Sequence, residues 1–307
     1  MAQTRGTWAE LYDNVDKTVM GVMFNQLKEL PPIWREVYNV KSSDRKFERV
    51  HTVVPFSEVP EKAEGAVYAT ENLRPGYTKD FTHVEFGLGF EYTETAQEDD
   101  QEAQLIQGAK WLALAARVVQ EKRAARPFNN GFTTEQTPDG VSAFNTAHVL
   151  KGGGGTWRNR LATDADLSVQ SLTDVMTDMQ TQTQDEAGHL AGVVSGLTLY
   201  VPPALEFLAA KIIESQLEAL TADNNLNTLR TRRRWRMIVN PYLTDTDAWF
   251  VGATDKSRHG LCTYVRQPLQ MKPAREDPKT GNTIVKIRFR QSWGFWTPVN
   301  WFGTAGA

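Results

Sequence analysis

One stretch of the sequence, EDDQEAQLIQGAKWLALAARVVQEKRAAR at residues 98–126, constrains the fold more than any other. Acidic residues occupy its first turn, basic residues occupy its last turn, and Pro127 follows, so its charges complement a helix dipole. About 28 residues, at a rise of roughly 1.5 Å each, predict a rod of about 42 Å. Because residues 105–119 are apolar on most sides, we expect this helix to contact other elements in several directions.

The composition is that of a globular chain. Of its 307 residues, 40% are hydrophobic and 23% are charged, which excludes a disordered or collagen-like protein. The net charge of −3 gives no general attraction to nucleic acid or to a membrane. The single Cys262 excludes an intramolecular disulfide and nearly excludes a Cys-based zinc site. No signal-peptide core and no apolar run of roughly 20 residues is found, so we expect synthesis in a cytoplasm and no membrane partner.

The residues before the long helix show two patterns. Over 1–30 apolar residues recur at helical spacing until Leu-Pro-Pro interrupts them, which predicts an amphipathic arm. From 46 the pattern is that of β-structure, and the alternation over 84–92 predicts a strand with one buried face. The polar residues 57–80 exceed the length of a tight turn, and we expect them to form a long loop.

After the long helix, helices and strands alternate. Residues 129–168 are rich in Gly, Asn, Thr and Asp, which predicts a long irregular connection. An amphipathic helix is predicted to begin near Ser168, and a strand at 197–201 to lead into a helix that starts with two prolines. With RWRMIVNPYL and DAWFVGA, these elements predict an α/β lobe. Apolar and basic residues alternate over 285–290, which predicts a strand with one basic face.

Four glycines at 152–155 raise the question of a phosphate-binding loop. Such a loop needs a strand before it, a helix after it, and a lysine after its last glycine. Here Lys151 precedes the glycines and Thr156 follows them. A mobile surface loop is therefore favoured, because glycine makes the backbone permissive. A nucleotide-binding or hydrolytic enzyme that uses this loop is the alternative from a different functional class.

Other catalytic patterns are weak. No two of the five histidines lie at metal-ligand spacing on a helix, so a metal site would need distant loops. No nucleophile elbow is present, and Cys262 lies in a predicted strand, where a buried and inert thiol is the common outcome. The carboxylates at 98–100 are explained by a helix N-terminus. We therefore expect no enzymatic activity, no cofactor and no metal.

The run RTRRRWR at 230–236 places five arginines beside a tryptophan. Because the residues that follow predict a strand, the arginines at 232, 234 and 236 should share one face. An intersubunit ion-pair surface is favoured over a solvated edge and over contact with DNA phosphates. An amphipathic arm, a long loop and nine tryptophans also indicate a subunit of an assembly. The residues predicted at interfaces are Trp8, Leu11, Tyr12, Arg74, Tyr77, Arg232, Arg234 and Arg236.

Several stretches resemble the major capsid proteins of tailed bacteriophages, which have the Johnson fold, and the Mu-like head-subunit branch in particular. FNTAHVLKGGGGTWRNRL at 144–161 is similar to the F-N-x-x-H loop of that branch. LTLYVPPALEFLAAKIIES at 197–215 is similar to its strand-Pro-Pro-helix segment. LSVQSLTDVMTDM at 167–179 and DTDAWFV at 245–251 also carry the resemblance, whereas 1–95 matches mainly in layout.

The resemblance implies an α+β capsid fold in five parts. The arm and the extended loop would lie over neighbouring subunits, and the arginine run would lie where subunits meet around five-fold and six-fold axes. The implied parts are an N-terminal arm at 1–40, an extended β-hairpin loop at 45–95, a peripheral domain at 96–185 with its spine helix at 98–126, an axial α/β domain at 186–280, and a C-terminal strand at 281–307 that returns to the peripheral domain.

The resemblance also implies a function. The chain would assemble as pentamers and hexamers into the icosahedral capsid of a virion, around double-stranded DNA that it contacts non-specifically, in the cytoplasm of a bacterial host. A portal protein and a separate scaffolding protein are implied as partners, and a decoration protein is left open. The alternative with the same fold is an encapsulin-type compartment that encloses enzymes. The Lys and Asn through which some members cross-link have no matching positions here.

Overall fold

The computed structural model describes residues 21–23, 25–93, 102–193, 195–217, 226–276 and 282–307. Residues 21–23 and 25–29 are helical, and a 3-10 turn spans Pro203–Leu205. The other described helices are α1 Trp34–Val37, α2 Glu102–Asn129, α3 Val169–Thr181, α4 Glu206–Glu214 and α5 Thr228–Arg232. None of the described helices is both long and apolar enough to span a bilayer.

The described strands form two four-stranded sheets and two separate strand pairs. The first sheet has the order β1-β10-β11-β4, the second has the order β12-β9-β7-β8, and the pairs are β2-β3 and β5-β6. The strands are β1 Asn39–Ser42, β2 Phe47–Val54, β3 Arg74–Thr82, β4 Val84–Tyr92, β5 His148–Val149, β6 Thr156–Trp157, β7 Gly196–Val201, β8 Arg234–Val239, β9 Trp249–Ala253, β10 Leu261–Glu276, β11 Thr283–Phe295 and β12 Trp301–Thr304.

The first sheet packs against the long helix α2. Alternate residues of β11, Val285, Ile287 and Phe289, are buried together with Leu112 and Ala113 of α2. The basic residues between them lie on the other face, since successive side chains of a strand point in opposite directions. The predicted strand with one basic face is therefore confirmed.

The second sheet packs against α3 and α4. Leu172, Val175 and Met176 of α3 are buried with strand residues such as Leu199 and Val251. The helix begins where the sequence predicts, because a capping box fixes its start. The Ser168 hydroxyl oxygen accepts the backbone N–H of Ser171, and the Ser171 hydroxyl oxygen accepts the backbone N–H of Ser168. The predicted strand and helix are also confirmed, as β7 and α4, but the α-helix begins at Glu206, after the 3-10 turn that contains Pro203.

An aromatic cluster joins α2 to both sheets. We define it as Phe128, Phe144, Tyr200, Phe250, Phe295 and Trp301, each at most 2% exposed, of which Phe295 belongs to the first sheet. Phe128 lies at its centre, with ring centroids 4.7 Å from Tyr200 and 5.0 Å from both Phe250 and Trp301. The tilted and edge-on contacts are those that aromatic quadrupoles favour.

The long helix extends beyond its predicted end. The sequence predicts an end at Arg126 because Pro127 follows, whereas α2 includes Pro127 and ends at Asn129. The lost backbone hydrogen bond of a proline is outweighed here, because continuing the helix buries Phe128 completely in the aromatic cluster. The start predicted at 98 lies outside the described residues.

Two segments predicted as irregular contain strands. Within 57–80, predicted as a loop, the residues from Arg74 onward form β3, which leaves a loop at 55–73. Pro75 is tolerated because β2 and β3 form an isolated ribbon with two free edges. Within 129–168, β5 and β6 pair around the glycine run.

The predicted five-part division differs from the sheet pairing at two places. β10 pairs with β11 along most of its length, so 261–276 belongs to the first sheet and not with 196–253. β12 pairs with β9, so the C-terminal residues 301–304 complete the second sheet after β11 has completed the first. The other boundaries remain predictions.

Candidate assembly surfaces

The loop between β2 and β3 exposes large apolar side chains. We call residues 55–73 the ribbon loop. Within it Val59 is 95% exposed, Val67 is 92% exposed and Tyr68 is 78% exposed. Scattered exposed apolar residues are ordinary, but a concentration of them in one projecting loop is typical of a surface that another chain covers.

The base of the ribbon is fixed to its own chain. The Arg74 guanidinium donates to the Gly152 carbonyl at 3.0 Å, and the Tyr77 hydroxyl donates to the Val149 carbonyl at 3.1 Å. The Lys151 ammonium lies 5.0 Å from the centre of the Tyr77 ring. Arg74 and Tyr77, which the sequence predicts at interfaces, thus hold the ribbon on the β5-β6 pair, and their contact with a second subunit stays a prediction.

The glycine run forms the turn between β5 and β6. A strand follows it where a phosphate-binding loop requires a helix, so the phosphate-loop alternative is wrong for these residues. A Cβ on Gly152 would lie 2.5 Å from Val54 and 2.7 Å from the Glu186 carbonyl oxygen, and Gly154 has a φ of +67°. Glycine is therefore required at 152 for close packing and at 154 for backbone conformation.

A buried histidine braces the same region. The His148 side chain is 0% exposed, with Nδ1 2.7 Å from an Asp139 carboxylate oxygen and Nε2 2.9 Å from the Asn159 amide oxygen. The Asn159 amide nitrogen donates to the Ala143 carbonyl at 2.8 Å, which fixes the orientation of this amide. Both histidine nitrogens therefore face oxygen atoms of the same chain.

The partner carboxylate responds to this histidine. Burial acts to raise the pKa of Asp139, but the hydrogen bond from His148 and the attraction between the two groups lower it below its ordinary value. The ring of His148 also stacks on Trp157 at 4.7 Å. This brace accounts for the F-N-x-x-H stretch, and the sequence alone does not reveal it because irregular chain separates Asp139 and Asn159 from His148.

The arginine run is divided between two elements. The sequence predicts that Arg232, Arg234 and Arg236 share one strand face. This prediction is wrong for Arg232, because Arg232 ends α5 whereas the other two lie on β8. Arg233 links the two elements: it has an extended backbone after α5, and β8 begins at Arg234. Arg236 pairs with Glu36 of the same chain at 2.6 Å. Trp8, Leu11 and Tyr12 lie outside the described residues.

Comparison with known proteins identifies the family. Residues 76–304 match the sequence profile of a family described as phage capsid protein. This chain belongs to the phage capsid protein family. No curated protein matches the sequence of this capsid protein.

Solved structures show the same fold. The capsid structure of the cyanophage P-SCSP1u superimposes with a TM-score of 0.59 at 9% identity, over 90% of this chain and 88% of that one. The mature capsid of bacteriophage PhiM1 gives 0.56 at 13% identity, over 90% and 87%. A virus-like particle from Pyrococcus furiosus gives 0.52 at 8% identity, over 94% and 98%. The expected α+β capsid fold and the function of a capsid shell protein are confirmed.

The spine helix of this capsid protein has a second apolar face. Leu112, Ala113 and Ala116 are buried against the first sheet, whereas Trp111 is 63% exposed and Leu114 is 45% exposed. The helix is predicted to make contacts in several directions, and the first sheet supplies the contact on one face. Among the described residues, Trp111 and Leu114 on the other face remain exposed.

A buried carboxylate ties the spine helix to the N-terminal residues. Glu121 of α2 is 3% exposed and accepts the backbone N–H groups of Ile33 at 2.8 Å and Trp34 at 3.2 Å. Burial raises the pKa of Glu121 to about 6, although the two hydrogen bonds and Arg117 act to lower it. This carboxylate therefore ties Ile33 and Trp34, near the end of the predicted arm, to the spine helix.

The residues considered for catalysis are not arranged for it. Cys262 is 0% exposed, and burial raises the pKa of its thiol to about 12, so it is a packed and unreactive side chain. Within the described ranges, no three His, Cys, Asp or Glu side chains converge on a common metal position.

Proposed function

We propose that copies of this capsid protein form a closed icosahedral shell of five-membered and six-membered rings around double-stranded phage DNA. The observation that carries the proposal is the exposure of Val59, Val67 and Tyr68 on the ribbon loop. A neighbouring subunit that covers these side chains gains about 25 cal/mol for each Å² of apolar surface removed from water. Membership of the phage capsid family supports the same arrangement.

The mechanism of assembly is the repetition of modest contacts. The ribbon loop reaches one neighbour, and Trp111 and Leu114 on the spine helix offer a second apolar surface. Each contact contributes little, but in a closed shell all are made at once, so their effects multiply. The net charge of −3 produces little repulsion between subunits at high local concentration.

The finer assignments follow from the resemblance. We assign the protein to the Mu-like branch, with the arm, ribbon loop, peripheral domain and axial domain as predicted. It has no enzymatic role and contacts the packaged DNA without sequence preference. Its partners would be a portal protein, a separate scaffolding protein and, in some capsids, a decoration protein, with assembly in the host cytoplasm.

One alternative has an observation in its favour. The match covers 98% of the chain of the virus-like particle from Pyrococcus furiosus, so a particle that is not described as a phage capsid has the same fold. Particles purified from a bacterial host that expresses only this gene distinguish the two. An enclosed protein that mass spectrometry identifies repeatedly would favour a compartment, and empty shells would favour a capsid that is filled by other phage proteins.

Negative-stain microscopy with sedimentation velocity tests the proposal. The purified protein should form hollow shells or rings of five and six subunits. Tyr68→Ala should reduce their yield, and Ala69→Ser in the same loop serves as the matched control. A protein that stays monomeric at all concentrations and ionic strengths would refute the proposed function.

A further inference from the structure

One edge of the second sheet is strongly basic. Residues 226–244 contain five arginines and no acid. Arg230 and Arg232 on α5, and Arg234 on β8, are exposed. None of these three forms an ion pair within the described residues, whereas Arg236 is paired with Glu36. We call Arg230, Arg232 and Arg234 the arginine edge.

The position of the arginine edge is set by the sheet order. β8 is the last strand of the second sheet and pairs with β7 on one side. α5 lies beside it, since the Trp235 indole donates to the Leu229 carbonyl at 3.1 Å. Arginines therefore flank an open strand edge, a position at which charges prevent indiscriminate strand pairing and leave the edge to a selected partner.

The opposite side of the same sheet is acidic. Residues 161–188 contain six acids and neither Lys nor Arg. Asp164 and Asp178 are paired with Arg160 and Arg158 of the same chain, whereas Asp166 and Asp174 are exposed and have no cation partner in the described residues. We call Asp166 and Asp174 the acidic strip.

Asp166 of the acidic strip lies at the β12 edge, and β12 is the strand farthest from β8. Arg160 bridges Gly303 of β12, and the Trp249 indole donates to the Ala165 carbonyl at 3.0 Å. The segment that leads into α3 thus covers the β12 edge, and the Asp166 carboxylate accepts the backbone N–H of Ala307 at 2.9 Å. Asp174 follows on α3, which packs against the same sheet. One subunit therefore carries unpaired arginines at one edge of the second sheet and the unpaired Asp166 carboxylate at the other.

We propose that the arginine edge of one subunit docks on the acidic strip of the next subunit in a ring. This inference rests on the proposed function, because it names which surfaces meet within the rings of the shell. Two different surfaces on opposite sides of one body make a head-to-tail contact, and such contacts close into rings when the rotation between subunits allows it. The opposite charges orient the encounter and disfavour head-to-head pairs.

Reciprocal charge reversal tests this pairing. Arg234→Glu should lower the yield of rings and shells by about tenfold or more, because every contact of a ring then opposes like charges. Asp166→Arg should do the same. The double variant Arg234→Glu with Asp166→Arg should restore assembly, since the pair is re-formed with its signs exchanged.

Matched controls separate this effect from damage to the fold. Asp44→Arg reverses a fully exposed acid between β1 and β2, outside the second sheet and both of its edges, and should assemble normally. Each variant should unfold at the same urea concentration as the parent protein, because exposed side chains are exchanged. Sedimentation velocity and negative-stain counts give the yield.

Other outcomes would overturn the pairing. Normal assembly of both single variants would refute it and leave the proposed shell intact, as would loss in both that the double variant fails to restore. Arg234→Glu shells that form normally but hold less DNA would assign the arginines to nucleic acid. A parent protein that forms neither rings nor shells would refute the proposed function, and this inference with it.

Discussion

The aromatic cluster and the ribbon loop use the same kinds of side chain in opposite ways. Phe128 is 0% exposed at the junction of α2 and both sheets, whereas Tyr68 is 78% exposed on the ribbon loop. The cluster gathers residues far apart in the sequence, and the loop is one continuous segment. The apolar residues of the cluster hold one subunit together, and the exposure of those of the loop supports our proposal that they contact a neighbouring subunit.

The largest expected effect comes from the centre of the aromatic cluster. Phe128→Ala should lower the free energy of unfolding by about 3–5 kcal/mol, because it removes the ring that contacts Tyr200, Phe250 and Trp301. Urea denaturation of the dissociated subunit measures this change. A loss below about 1 kcal/mol would mean that the cluster does not hold the subunit together.

The second effect concerns the buried brace. Asn159→Ala should lower the free energy of unfolding by about 2–3 kcal/mol, because the His148 ring and the Ala143 carbonyl lose their partner in a buried place. Asn72→Ala in the ribbon loop, where Asn72 is exposed, is the matched control and should be neutral. Equal effects of the two substitutions would contradict the role of the brace.

The third effect depends on pH. Because burial raises the folded-state pKa of Glu121 to about 6, the folded subunit holds a proton that the unfolded chain releases near pH 4.5. The stability that this proton contributes is present at low pH and is lost as the pH rises through about 6. Between about pH 4.5 and pH 7.5 the loss should approach 2 kcal/mol.

Two variants isolate this carboxylate. Glu121→Gln, measured by urea denaturation at both ends of the pH range, should lack that part of the pH dependence. Glu58→Gln on the exposed ribbon loop should keep it. If both variants retained the dependence of the parent protein, the buried carboxylate would not be its source.

The smallest effect on stability comes from the ribbon loop. Replacing Val67 and Tyr68 by Ala should change the free energy of unfolding of the subunit by less than about 0.5 kcal/mol, since both side chains are exposed. Denaturation of the dissociated subunit checks this expectation. A large loss would show that the loop belongs to the core, and the contrast between the two regions would fail.

Local patterns predicted much of the fold. The spine helix, α3 and the strand β11 follow from spacing and capping, because neighbouring residues decide them. β3 was missed because Pro75 and Gly76 disfavour a strand locally, and pairing with β2 overrides them. The predicted end of the spine helix is wrong because Phe128 is buried by residues about 70 to 170 positions away. A rule that considers only neighbouring residues does not take these contacts into account.

The candidate surfaces were predicted less completely. The arginine run is evident from the sequence, but its division between α5 and β8 is seen only in the structure. The brace of His148 depends on three residues that approach only in the folded chain. The sequence does not predict the acidic strip as a surface, because its position opposite the arginine edge follows only from the strand order of the second sheet.

The place of β12 has a consequence for the order of events during synthesis. Trp301 contacts Phe128 in the aromatic cluster, and Phe302 is buried in the core between the second sheet, α3 and α4. Neither core is therefore complete until these two residues have been translated. Contacts between such distant parts of a chain form late in folding. The ribbon loop is translated well before β12, so we expect it to be exposed to solvent while both cores are still incomplete.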